Sequence, residues 1–160
     1  MPAPLAVYIA LGSNLGDSEA VFAAVLPRLQ ELSATPLRAS KWLRTTPVDC
    51  PPGSPDFLNG VVEITPLPGE TPESLLVKLQ ALERAAGRRP KQIHNEPRPL
   101  DLDLIVFGGE IRNTPALILP HPRAHTRWFV AAPLAELNPA LILPGHSKSI
   151  AAYLQDLAES

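Results

Sequence analysis

The chain opens with an unbroken apolar run, Val7-Tyr8-Ile9-Ala10-Leu11, that stops at Gly12; this is the pattern of a buried strand. Gly12 to Asp17 reads as a turn opening a helix; Gly12 to Gly16 looks superficially like a phosphate loop but lacks the Lys-Ser/Thr of one, which favours the structural reading. Phe22, Val25, Leu26, Leu29 and Leu32 then recur at helical spacing. Pro27 lies inside that helix, removes a backbone bond and predicts a kink. Leu37 to Thr45 reads as a second strand and Phe57 to Thr65 as a third, with the proline-rich segment between them a loop. Thr71-Pro72-Glu73 supplies a capping hydroxyl, a proline at the first helical position and an acid in the first turn. Leu75, Leu79, Leu82 and Ala86 are the buried stripe of the helix it starts, and Gly87 ends it. Leu102 to Phe107 is a further strand, Pro115 to Leu119 a short one, and residues 126–137 and 147–158 form two more helices.

The core order is therefore β-α-β-β-α-β. Such a split order predicts an α+β fold: a mainly antiparallel sheet, ferredoxin-like, with helices on one face. At 160 residues the chain is the size of one domain, so 1–160 reads as a single unit without linker or repeat. Its one cysteine, Cys50, forbids an internal disulfide and fits a reducing, cytoplasmic compartment. The net charge of −2 disfavours a nucleic-acid binder. No apolar run approaches the ~18 residues of a membrane span, and Met1 to Tyr8 lacks the pattern of a secretory signal. Proline is unusually frequent, 20 residues, but spread out, which predicts stiffened loops in a compact domain.

Asp101-Leu102-Asp103 is the sharpest chemical signal. Residues two apart in a strand share a face, so two carboxylates stand side by side with Cα atoms ~6.5–7 Å apart. They repel unless a cation or donor lies between them. Hard oxygen ligands suit Mg²⁺, which takes one or two carboxylates plus substrate phosphates; an exposed pair without a ligand is the plain alternative. From Arg84 to Arg127 there are eight Lys/Arg against four Asp/Glu, although the whole chain is acidic. Cations flanking a metal-binding pair are what a polyphosphate needs. Arg88 and Arg98 are the candidates, Arg98 being wedged between Pro97 and Pro99, and the polar segment from Arg88 to Pro99 reads as a mobile loop. His121 is held between Pro120 and Pro122, which suits a ligand contact or a purely structural role. Phe57 and Asn59 share a strand face, an aromatic plate beside an amide that fits a flat heterocycle, or simply core and strand end. The histidines give no third-ligand pattern for zinc.

Taken in order, these segments resemble the 6-hydroxymethyl-7,8-dihydropterin pyrophosphokinases of folate biosynthesis. The resemblance covers nearly the whole chain. It runs through Ala10-Leu11-Gly12-Ser13-Asn14-Leu15-Gly16-Asp17, Arg44-Thr45-Thr46-Pro47, Pro55-Asp56-Phe57-Leu58-Asn59, Leu82-Glu83 and Gly87-Arg88. It continues through Pro97-Arg98-Pro99-Leu100-Asp101-Leu102-Asp103-Leu104, Pro120-His121-Pro122 and Arg127-Trp128-Phe129. The resemblance implies transfer of the βγ-diphosphate of ATP to the pterin hydroxymethyl oxygen, with release of AMP. It implies two Mg²⁺ ions on Asp101 and Asp103, and Phe57 and Phe129 sandwiching the pterin. Asn59, Thr45, Thr46 and Val48 would bond the ring edge. Arg88 and Arg98 would face the phosphates, with Gln80, Glu83, Leu104, His121 and Arg127 on the ATP side. Small-molecule substrates, no nucleic acid, no membrane and a monomeric chain are the matching expectations.

Pro90, Asn95 with Glu96, and Ala116 stand where the family often has arginine, an aromatic with glycine, and arginine. These departures predict weaker loop closure and slower turnover. They also leave two rivals: a weakened paralogue that senses a pterin or nucleotide, and a plain interaction module. Retention of Asp101, Asp103, Arg98 and His121 together argues against both.

Overall fold

The computed structural model describes residues 5–14, 17–46, 56–87 and 99–159. In chain order the elements are β1 (Val7–Ser13), α1 (Ser18–Glu31), β2 (Arg38–Ala39), β3 (Leu43–Thr45), β4 (Phe57–Ile64), α2 (Pro72–Ala85), β5 (Asp101–Phe107), β6 (Arg112–Asn113), β7 (Ile118–Leu119), α3 (Trp128–Leu137) and α4 (Ile150–Glu159). The main sheet runs β2-β4-β1-β5, with β3 also on β4, and every pairing is antiparallel. This is the ferredoxin-like strand order expected of βαββαβ. β6 and β7 pair separately. Among the described residues no helix is long and apolar enough to cross a membrane.

The helices cover both faces of the sheet, where one face was expected. Val7, Ile9 and Leu11 pack with Phe22, Val25 and Leu29 of α1 and Leu75 and Leu79 of α2. On the opposite face Tyr8, Val61 and Ile105 pack with Val130, Ala131 and Leu134 of α3 and Ile150 of α4. The reason lies in β1 itself: an apolar run without alternation has two faces to bury, and α3, apolar nearly all round, covers the second.

Local chemistry sets the element ends. Asp17 caps α1, its carboxylate accepting from the Ala20 N–H at 3.1 Å. α1 continues through Pro27, and both Pro27 and Ala23, the residue whose carbonyl its missing N–H would have met, are exposed, so that carbonyl is open to solvent. Thr71 and Ser74 form a reciprocal capping box at α2, and Gly87 ends it at φ +98°, a conformation glycine adopts without strain. The expected strand from Leu37 to Thr45 is two short strands. Ser40 hydrogen-bonds the Val61 backbone through both its N–H and its hydroxyl, and Trp42 turns inward to meet Phe22 edge-on at 4.9 Å. The Trp42 ring fills the space over Gly60, where a Cβ would lie 2.2 Å from a ring carbon. Gly12 also departs from the turn expected of it, since the ladder continues to Ser13. The short strand expected over Pro115 to Leu119 is confined to β7.

A polar bridge ties the sheet to the end of α3. The Tyr8 hydroxyl donates to Glu63 at 2.6 Å and accepts from Asn138 at 3.2 Å. Arg38 donates to Glu63 and to the Leu137 carbonyl. Burial, then the Glu63 hydrogen bond, pushes the Tyr8 phenol up to about 12 from 10.0. An acid whose pKa rises on folding stabilises the fold fully below its unfolded value and loses that contribution as pH climbs through the folded one. We expect Tyr8→Phe to cost about 1 kcal/mol at pH 7. Between pH 10 and 12 wild type should lose about 2–3 kcal/mol that Tyr8→Phe does not lose. Urea unfolding of both proteins across that range checks this.

Candidate active site

Three neighbouring strands converge at one end of the sheet. In the β4–β1–β5 register, Gly12 faces Asn59 on one side and Asp101 on the other. One step further in, Ala10 faces Val61 and Asp103. Partners in register point to the same face, and Val61 and Ala10 identify it as the α3/α4 face. The period of two therefore places Phe57, Asn59, Asp101 and Asp103 together on that face. Asp101 is half-buried and Asp103 exposed.

Asn59 is 7% exposed and donates from Nδ2 to the Thr45 hydroxyl at 2.9 Å. That bond joins β3 to β4 and fixes the amide plane. Thr46 is exposed at the end of β3, and Phe57 pairs with Thr45. Phe129 stands in the first turn of α3, which packs across β4 on this same face. Arg127, just before α3, lies with its guanidinium carbon 5.9 Å from the centre of the Phe129 ring.

Along the free edge of β5 a cleft of about 300 Å³ is lined by Leu76, Leu102, Asp103, Leu104, the Pro115–Ile118 segment, His121 and Pro122. It brings together Asp103, Leu104 and His121, three of the expected residues. His121 follows the cis Leu119–Pro120 bond and donates its backbone N–H to Ile105 at 2.9 Å. Its Nδ1 accepts from the Arg123 N–H at 3.2 Å. Burial, with Arg127 and Arg123 nearby, holds its pKa below 6.5. The neutral ring therefore carries its proton on Nε2, which is left as the ring's donor.

Other expected residues fall elsewhere. Gln80 is exposed, one turn beyond Leu76 on the same side of α2, and does not line the cleft. Glu83 accepts the Leu102 N–H at 2.8 Å. It thereby pins the edge strand between the two aspartates, a positioning contact that spacing alone does not reveal. Arg127 lies beside Phe129 and is not among the cleft-lining residues. Val48, Arg88 and Arg98, with Pro90, Asn95 and the rest of the segment 88–98, lie outside the described residues. Ala116, where the family often has arginine, lines the cleft. Leu76 is not singled out from the sequence, and Gly12 reads there only as part of a structural turn.

Behind His121 and Arg127, their loop is held by rings. His125 meets His146 at 4.9 Å and Tyr153 at 4.8 Å, and His146 Nδ1 hydrogen-bonds the Tyr153 hydroxyl at 2.7 Å. Burial first, and His146 second, lower the His125 pKa from 6.5. A base whose pKa falls on folding opposes protonation, so stability is full above the unfolded value and declines as pH drops below about 6.5. His125 Nδ1 is buried without a partner among the described residues. We expect His125→Phe, which keeps the ring contacts, to match or exceed wild type at pH 7.5 and to lose less stability at pH 5.5. Denaturant midpoints at both pH values test it.

The family model described as 7,8-dihydro-6-hydroxymethylpterin-pyrophosphokinase matches residues 8–139. The chain belongs to this pyrophosphokinase family. It is thus an ATP-dependent diphosphotransferase of folate synthesis, acting on hydroxymethyldihydropterin. The 2-amino-4-hydroxy-6-hydroxymethyldihydropteridine pyrophosphokinase of Bacillus subtilis is 41% identical over 132 residues, 81% of this chain and 76% of that one. The protein of the same description from Pseudomonas aeruginosa is 38% identical over 138 residues, 86% of this chain and 83% of its own. The folic acid synthesis protein fol1 of Pneumocystis carinii is 36% identical over 96% of this chain, which spans only 20% of that longer protein. Among solved structures, Plasmodium falciparum HPPK-DHPS with pteroate superposes with a TM-score of 0.78 over 98% of this chain and 45% of the other. Identity there is 10%, so that match concerns the fold.

Proposed function

We propose that the pyrophosphokinase site lies on the α3/α4 face, with the pterin at the Phe57–Asn59 end and ATP in the cleft along β5. The observation that carries this is the single row Asn59–Gly12–Asp101, which sets a ring-reading amide and an acidic group on either side of one strand. Adjacent strands are ~4.8 Å apart, so the Asn59 and Asp101 Cα atoms stand ~10 Å from each other. That span accommodates a bicyclic ring with its hydroxymethyl arm directed at the acidic pair.

Asp101 and Asp103 are the ligands for Mg²⁺. Among the described residues no cluster of three or more His, Cys, Asp or Glu converges. The donor set fits a hard cation completed by substrate phosphates and water, and two ions bound with ATP meet that description. When bound, Mg²⁺ neutralises charge on the phosphates. The hydroxymethyl oxygen attacks the β-phosphorus, the bond from that phosphorus to the α,β-bridging oxygen breaks, AMP departs carrying that oxygen, and the hydroxyl proton passes to solvent water. The chain's own residues position and screen: Asn59 and Thr45 orient the ring, Phe57 and Phe129 stack on it, and His121 Nε2 donates to the nucleotide. Arg88 and Arg98 are assigned to the phosphates, and Arg127, beside Phe129, to the nucleotide. Thr46 and Val48 complete the pterin edge. Gln80 and Glu83 support the nucleotide side, Glu83 through β5. We further read the protein as a cytoplasmic monomer of one domain.

The test is AMP formation from ATP and the hydroxymethyl pterin, with and without Mg²⁺. Stoichiometric AMP that requires both the pterin and Mg²⁺ supports the reading. Binding of both ligands without AMP identifies a sensor instead.

A further inference from the structure

On the α3/α4 face β1 presents Tyr8, then Ala10, then Gly12: side-chain bulk falls to nothing toward the proposed site. Gly12 is inside the ladder, paired on both flanks, and is not among the glycines with positive φ. Its backbone therefore does not call for glycine, which weakens a strand interior. Nor does crowding call for it. Among the described residues a Cβ built there would meet only Asn59 Oδ1 at 3.7 Å and the Asp101 Cβ at 3.8 Å, ordinary contact distances. Gly60 is the contrast, because there the Trp42 ring occupies the Cβ position. Among the described residues a methyl at 12 finds room and would stiffen the strand, so neither backbone nor packing there accounts for the glycine, and the requirement of a ligand does.

Resting on the site placement above, we propose that Gly12 is a positioning residue for the reaction. Its bare backbone is the floor over which the pterin's hydroxymethyl arm passes from the ring at Asn59 to the phosphate held at Asp101. A methyl at 12 stands between those two groups, under the arm and beside the ring edge. It should lift the reacting oxygen from its line of attack while leaving ring stacking largely intact. A misplacement of about 1 Å at this point is enough to cost on the order of 100-fold in rate.

The experiment compares wild type, Gly12→Ala and Asn59→Ala using hydroxymethyldihydropterin and a dihydropterin lacking the hydroxymethyl group. Gly12→Ala should unfold at the same temperature as wild type or a higher one. Its turnover should fall at least 10-fold, and its affinity for the pterin bearing the arm should fall more than its affinity for the armless one. A Gly12→Ala protein that does not fold overturns the proposal, because the glycine then serves the fold. Turnover within twofold of wild type also overturns it, as does equal loss of both pterins. Asn59→Ala should weaken both pterins alike. If it weakens neither, the ring placement itself is wrong; if it weakens both while Gly12→Ala retains full turnover, only the role of Gly12 fails.

Discussion

Asp101→Asn and Asp103→Asn should each lower diphosphate transfer at least 100-fold in a protein that remains folded. The two groups share one strand face, repel in the absence of a cation, and are the paired carboxylates at the proposed phosphate end. Asparagine keeps the shape but removes the charge, so the proposed metal site would lose a ligand and the phosphates their neutralisation. A 100-fold loss is about 2.7 kcal/mol of barrier, well within what electrostatic positioning of a phosphoryl group supplies. Neither aspartate belongs to the buried core, so each variant should remain folded. Their neighbours predict a division of labour. Asp103 lines the cleft with Leu76 and His121, so its loss should weaken Mg²⁺-dependent ATP binding more. Asp101 flanks Gly12, so its loss should fall mainly on turnover. Steady-state kinetics with nucleotide calorimetry separates the two. A variant that keeps more than a tenth of wild-type turnover removes the metal assignment.

Much of this geometry is visible in the chain before folding is considered. The Asp-x-Asp spacing in an apolar strand predicts one shared face, and the strand does present it. Thr71-Pro72 and Gly87 mark both ends of α2 because capping is local chemistry. What is not visible is decided by partners distant in sequence. A glycine after an apolar run reads as a turn, and only pairing on both flanks shows that Gly12 lies inside the sheet between Asn59 and Asp101. The break between β2 and β3 depends on Ser40 bonding Val61 and on Trp42 finding the hole above Gly60. Glu83 is expected on the nucleotide side only through the resemblance, and its hold on the Leu102 N–H requires α2 to be docked against β5. The second helical layer is likewise tertiary: the apolar character of α3 is plain in the sequence, and the face it covers is not.

Asn59→Ala should lower pterin affinity about 30- to 100-fold and change ATP affinity by less than about twofold. The amide is buried, and its Nδ2 donates to the Thr45 hydroxyl at 2.9 Å, which holds its plane toward the site face. A flat heterocycle with alternating donors and acceptors is told from look-alikes at its edge, since stacking on Phe57 and Phe129 accepts any aromatic ring of similar size. Removing the amide leaves a ring polar group unpaired and also strands the Thr45 hydroxyl. Each unpaired buried group costs roughly 1–3 kcal/mol, and about 2–3 kcal/mol in total gives the expected range. The nucleotide should be spared because the cleft proposed for it lies beyond β5, lined by Leu76, Leu104 and His121, with β1 between that cleft and Asn59. Thr45→Val should reproduce a smaller part of the pterin loss, since Asn59 stays in place but is no longer oriented. Calorimetry with each ligand on each variant measures this directly. Equal weakening of pterin and ATP by Asn59→Ala would remove the amide from the pterin site and leave the row Asn59–Gly12–Asp101 without its ring-reading end.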